Sequence, residues 1–191
     1  MIELFSTPIY GELLSLNCKE LESFCRKERK KSSGKIASNI CGWQSEDFHF
    51  AEPKRHELDE LIKELEYHAS IFAERVGLRT PLHINSIWVN INQYRDYNIS
   101  HHHPKCLISG VFYVKAPKES GDIILEHPAA HMMSFDWGLD SITDWTKYTS
   151  QIMSYQCKEG QLLLFPSWLM HRVDPNLNKH EDRISISFNF G

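Results

Sequence analysis

The chain has 191 residues and a formal net charge of -4, with 41% apolar and 24% charged residues. That make-up predicts one globular domain, residues 1–191, with enough chain for a single core. It gives no general pull towards nucleic acid and no apolar run of membrane-spanning length, and its five cysteines, with no CxxC pair, favour free thiols over a disulfide framework.

The opening MIELFSTPIYGELL lacks a basic stretch followed by an apolar core, so no signal peptide is expected and a cytoplasmic location is. Residues 2–14 predict one or two short strands broken at Pro8 and Gly11. Asn17 can cap a helix, with Glu20 completing a capping box and Leu21, Phe24 and Cys25 forming the buried stripe. The basic run Arg26 to Lys31 reads as the solvated end of that helix, where cations suit the dipole. Cys41 to Gln44 is turn-like, and Trp43 is too apolar to leave in water. Residues 57–76 carry the strongest helical period: Leu58, Leu61, Ile62, Leu65, Ala69, Phe72, Ala73 and Val76, with Gly77 where a C-cap glycine belongs. His56 and His68, on or beside this helix, read as structural.

After Pro81 the pattern predicts strands and no helix. The runs are Leu82 to Gln93, Leu107 to Val114, Asp122 to Glu126, Tyr148 to Cys157, Gln161 to Phe165 and Arg183 to Phe190. Ser109–Gly110 suggests a bulge. Residues 129–147 have no clear period and suit a lid or substrate wall. Residues 1–80 therefore read as a helical part packed on the outside of a double β-sheet or barrel formed by residues 81–191.

Two stretches carry chemistry. In Trp88 to Pro104, residues Trp88, Asn90 and Asn92 share one strand face, and a loop then delivers three consecutive histidines. Residues two apart in extended backbone project to the same side, so His101 and His103 can bind one ion with His102 turned away. In the second, His171 follows the apolar strand Leu162 to Phe165, where a third ligand from across the barrel would stand. Beyond it Arg183, Ser185, Ser187 and Asn189 alternate with Ile184, Ile186 and Phe188. An open three-ligand face fits non-haem Fe(II) or catalytic zinc. A guanidinium at Arg183 beside it invites a bidentate carboxylate, and Ser185 can add a hydroxyl donor.

The order HxH, a distal His, then RxS twelve and fourteen residues later resembles the Fe(II)/2-oxoglutarate-dependent oxygenase superfamily. The phrases HHHPKCLISGVFYV, EGQLLLFPSWLMHRV and RISISFNF look like a branch of small oxygenases within it, with a weaker echo in Gly42–Trp43–Gln44. The resemblance implies a mainly β, double-stranded β-helix (jelly-roll) fold with flanking N-terminal helices. It implies Fe(II) held by His101, His103 and His171, and 2-oxoglutarate as co-substrate, with succinate and carbon dioxide as products. Arg183 would pair with the distal carboxylate of 2-oxoglutarate, Ser185 would assist, and Asn90, Asn92 and Tyr113 would be further contacts. One departure stands out: the superfamily usually has HxD or HxE, whereas position 103 is His. Either His103 is the second ligand or a carboxylate such as Asp122 or Glu126 joins.

Three functions compete on this reading. The first is a 2-oxoglutarate-dependent hydroxylase acting on a small molecule or a protein side chain, with a homodimer left open. The second is a three-His cupin-type dioxygenase that does without 2-oxoglutarate and has no use for the RxS pair. The third is a non-catalytic jelly-roll binding module.

Overall fold

The computed structural model describes residues 2–48 and 55–191. In chain order its elements are β1 (Tyr10–Leu13), α1 (Cys18–Lys31), β2 (Asn39–Ile40), β3 (Trp43–Gln44), α2 (Asp59–Val76), β4 (Ile84–Asn92), β5 (Tyr97–His101), β6 (Ile108–Lys115), β7 (Ile123–Glu126), α3 (Ala130–Asp136), β8 (Ile152–Tyr155), β9 (Gln161–Pro166), β10 (His171–Val173) and β11 (Arg183–Phe190).

The helices form for local reasons. The Asn17 side chain accepts the Glu20 N–H at 3.2 Å and so caps α1. Glu20 answers through the Asn17 side-chain amide, at 3.3 Å, rather than through its backbone. Leu21, Phe24 and Cys25 are the buried stripe. Helix α2 ends on Gly77, whose φ of 77° lets its N–H bond the Ala73 and Glu74 carbonyls.

Among the described residues the strands pair antiparallel into two sheets. The major sheet runs β1-β9-β6-β11-β4-β3 and the minor sheet β2-β5-β10-β7-β8. Together they make a jelly roll with α1 and α2 laid on the outside of the major sheet. Strand β11 shows how the layers are assigned. Its residues Ile184, Ile186 and Phe188 are fully buried and join Leu61, Leu65 and Phe72 in the core beneath the helices. Its other face turns Arg183, Ser185 and Ser187 between the sheets, where Asn90 and Tyr113 stand opposite Ser185 on the neighbouring strands. A smaller apolar cluster, including Val111, Leu125, Leu163 and Phe165, closes the interior. The barrel is thus apolar towards its helices and markedly polar inside.

Several local expectations change. Gly11 lies within β1 rather than breaking it, opposite Leu163. Residues 41–44 do more than turn: Trp43–Gln44 is a strand paired with Ile91 and Asn90, so the segment passes from the edge of one sheet to the edge of the other. The C-terminal part contains helix α3, within the stretch read as periodless. Trp168, in the turn before β10, is 53% exposed, and Cys106, beyond the histidine loop, is half-buried. His68 is structural as expected, its Nδ1 lying 2.7 Å from the Tyr10 hydroxyl.

Gly110 is no bulge. It pairs in register with Phe188 and Leu164, and a methyl group placed on it would sit 2.5 Å from the Phe188 ring and 2.7 Å from Leu164 Cδ2. Both neighbours are fully buried and have nowhere to go. Gly110→Ala is therefore expected to destabilise the chain by about 1–3 kcal/mol, the usual range for overpacking. Urea unfolding checks this, and an unchanged midpoint would contradict it.

Candidate metal centre

The centre is built by sheet pairing. His101 ends β5 and His171 begins β10, and the two are cross-strand partners. Their ring centroids lie 4.3 Å apart. His103 follows two residues on, its N–H donating to the Ser167 carbonyl at 3.0 Å, which ties the histidine loop to the turn before β10. Its ring lies 5.1 Å from that of His101 and 5.2 Å from that of His171. One ring nitrogen of each imidazole lies within 4.8 Å of the others, close enough to share one ion. Exposed His102 stands outside this group.

Backbone carbonyls fix which nitrogens face inwards. The Nδ1 of His101 bonds the Ile99 carbonyl at 2.7 Å, and the Nδ1 of His171 bonds the Leu169 carbonyl at 2.9 Å. A carbonyl only accepts, so each Nδ1 carries the proton and each Nε2 keeps its lone pair, the arrangement typical of metal-binding imidazoles. Burial supports the same state. It pushes His171 down to about 3 and His103 to about 4, with the neighbouring histidines adding to the effect, and it lowers His101 as well. At neutral pH these are uncharged imidazoles, which could take up a metal without losing a proton.

No carboxylate completes the cluster among the described residues. Asp122 Oδ2 accepts the Ser154 hydroxyl at 2.7 Å. Glu126 Oε1 accepts that of Ser100 at 2.6 Å and lies 3.8 Å from Arg172. The three-imidazole set fits the chemistry of iron, which accepts nitrogen donors and here would keep open positions.

Arg183 is 1% exposed. Its Nη1 donates to the carbonyls of Ser120, Gly121 and Asp174, the last at 3.1 Å. Gly121 permits this approach: at φ 85° it carries no side chain, and a Cβ there would lie 2.8 Å from Nη1. The Nη2 atom is buried with no hydrogen-bond partner. Burial lowers the guanidinium, while Cys157, Tyr113, Asp96 and Asp174 nearby raise it. A buried cation with an unspent donor, facing a cavity, calls for an anion. Ser185, Asn90, Asn92 and Tyr113 line the same cavity as Arg183 and the three histidines. These eight meet there, whereas Asp122 and Glu126, the alternative ligands considered from sequence, do not line it. Asn90 donates to Ser187 Oγ at 3.0 Å and leaves its own Oδ1 unpartnered. The Tyr113 hydroxyl sits beside the Cys157 thiol.

Sequence reasoning missed Ser38, just before β2, and Asn98, in β5, which both line the cavity. They reach it only through pairing between distant segments, for which no local pattern exists.

Solved structures with a similar fold include several oxygenases. The Pseudomonas putida prolyl-4-hydroxylase superposes with a TM-score of 0.66 at 12% identity, covering 97% of this chain and 92% of that one. The collagen prolyl hydroxylase of Paramecium bursaria Chlorella virus-1, in complex with 2-oxoglutarate, gives 0.63 at 15% identity, over 95% and 94%. HygX of Streptomyces hygroscopicus, with nickel and 2-oxoglutarate bound, gives 0.64 at 14% identity, over 97% and 83%. A search of curated proteins finds no match. The fold is therefore the double-stranded β-helix that these structures share. Residues 86–189 match the family described as "Putative 2OG-Fe(II) oxygenase", and the chain belongs to that family. It is an oxygenase that works with Fe(II) and 2-oxoglutarate. Among the described residues no helix is long and apolar enough to cross a membrane.

Proposed function

We propose that the chain is a hydroxylase in which His101, His103 and His171 hold Fe(II) and Arg183 anchors the distal carboxylate of 2-oxoglutarate. The iron, when bound, supplies the redox chemistry by which oxygen converts 2-oxoglutarate to succinate and carbon dioxide and places one oxygen atom in a substrate C–H bond. Each atom of oxygen is then accounted for, one in succinate and one in the hydroxyl group.

The chain's own residues bind and orient. Arg183 Nη2 offers the unspent donor, fixed in direction because Nη1 is tied to three carbonyls. Ser185, on the same strand face, adds a hydroxyl donor, and Tyr113, paired with Ser185 across β6, closes the far side. Asn90 and Asn92 form the neighbouring wall; the Asn90 amide can turn its nitrogen towards a carboxylate and accept from Ser187 instead. Three neutral imidazoles leave a divalent ion with its full charge. The dianion of 2-oxoglutarate offsets that charge, which is why the third imidazole is compatible with this co-substrate.

The observation that carries this reading is the buried guanidinium with an unpartnered donor in the cavity of the three histidines. The third imidazole favours a cupin-type dioxygenase without 2-oxoglutarate, but such an enzyme leaves Arg183 with no anion to hold. The collagen prolyl hydroxylase and HygX, which also holds hygromycin B in one structure, frame the substrate as a protein side chain or a small molecule. The test is formation of succinate from 2-oxoglutarate in air with the iron-loaded chain. Iron-dependent succinate is the expected result. An iron-loaded chain that neither binds nor consumes 2-oxoglutarate would end the proposal.

A further inference from the structure

Ser38 stands at the centre without a role in the reading above. The segment that carries it is held on both sides. The Ser38 carbonyl accepts the Ile99 N–H at 2.9 Å, extending the pairing of Asn39 with Asn98. Asn39 accepts the Ala37 N–H at 2.7 Å and donates to the Lys35 and Gly42 carbonyls at 3.2 and 2.6 Å. The hydroxyl of Ser38 is therefore placed by its backbone rather than left to wander.

Its Oγ accepts from Asn98 Nδ2 at 3.1 Å and lies 3.4 Å from His101 Nε2. The second distance is long for a hydrogen bond, so the hydroxyl does not seal that nitrogen. The bond from Asn98 uses an acceptor lone pair and leaves the hydroxyl proton free to be donated. Nε2 is the atom that His101 turns to its two partners, because Nδ1 is held by Ile99. Metal–nitrogen bonds of about 2.1 Å put adjacent coordination positions about 3 Å apart. A hydroxyl 3.4 Å from Nε2, in the same cavity, is at the distance at which it can reach a ligand atom seated next to His101.

We propose that Ser38 is a positioning residue, held by Asn98, whose hydroxyl donates a hydrogen bond to the oxygen or nitrogen atom of a small ligand bound at the metal next to His101. This rests on the three-imidazole centre and adds to it a donor on the minor-sheet side, opposite Arg183. It gives the open position a directional preference: a ligand atom that can accept a hydrogen bond is held there, and one that cannot is not.

The test uses the full chain loaded with Co(II), whose visible spectrum reports its ligands, and titrated with azide as a small accepting ligand. Ser38→Ala is expected to bind Co(II) within about twofold of the parent and azide about tenfold more weakly, as loss of one hydrogen bond to a charged ligand implies. Ser38→Thr keeps the hydroxyl and is expected to restore azide binding. Equal azide affinity in the parent and Ser38→Ala, with Co(II) bound in both, overturns the role of Ser38 and leaves the centre standing. Loss of Co(II) from Ser38→Ala overturns it in favour of direct coordination by the hydroxyl. Failure of the parent to take up Co(II) overturns the centre, and this proposal with it.

Discussion

Arg183→Ala is expected to weaken 2-oxoglutarate binding by at least about a hundredfold while metal binding survives. Truncating one partner of a buried, hydrogen-bonded charge pair costs about 2–5 kcal/mol, and every 1.4 kcal/mol is tenfold in affinity. The effect sits at the large end because Arg183 is fully buried and, among the described residues, no other Lys or Arg lines the cavity. The same change orphans the carbonyls of Ser120, Gly121 and Asp174, so some loss of stability accompanies it. Arg183→Lys separates the two effects. It keeps a charge but not the planar fork that bonds the carbonyls and, as proposed, would also bond a carboxylate, so its affinity should lie between the parent and Ala. Calorimetric titration of the Ni(II)-loaded chains with 2-oxoglutarate, after confirming that each variant is folded, makes the measurement. Unaltered affinity in Arg183→Ala would remove the co-substrate site from this end of the barrel.

The second large effect belongs to His171. Of the three imidazoles it is the most buried, at 4% exposure, and it is packed against Phe165 with 4.7 Å between ring centroids. Deleting it removes one of the three proposed ligands, the one that β10 supplies. Loss of a group that merely supports a ligand typically costs 10- to 100-fold in metal affinity, so loss of the ligand itself should cost more than about a hundredfold. Titration of the metal-free chains with Ni(II) reads this directly. His102→Ala is the internal control, since its imidazole is exposed and outside the cluster. The expected order is unchanged affinity in His102→Ala and near-complete loss in His171→Ala. Similar affinities in the two variants would show that the ion sits elsewhere.

Where the chain was legible, long runs repeated one period. The alternation in β11 and the three- and four-residue spacing in α2 each place enough side chains to outweigh local preference. The polar face of β11 also gave away the interior, because a buried strand with serines and an arginine on one side needs something polar to face. The short elements were not legible, for definite reasons. Strand β5 reads YNISH and strand β10 reads HRV. Neither has a period, and both exist because β10 lies between β5 and β7 and borrows their hydrogen bonds. Helix α3 has no side-chain cap and only seven residues, too few to establish a helical stripe. Gly110 looked like a bulge because the sequence does not reveal the Phe188 ring that occupies the space a side chain would need. Ser38 was invisible for a related reason: its partner on β5 is sixty residues away along the chain.

The two ends of the site rest on parts of the fold that differ in cohesion. Arg183 belongs to an eight-residue strand paired on both flanks by β4 and β6, in the middle of the larger sheet. His101 and His171 belong to strands of five and three residues, joined to each other across a register shift. Segments with few backbone pairs open locally at lower cost than central strands do. An ion clasped by these two histidines would act as an extra rung between β5 and β10, supplying the cohesion that their brief ladder lacks. On this view the anion anchor is rigid before any ligand arrives, and the histidine end becomes equally firm only once it is loaded.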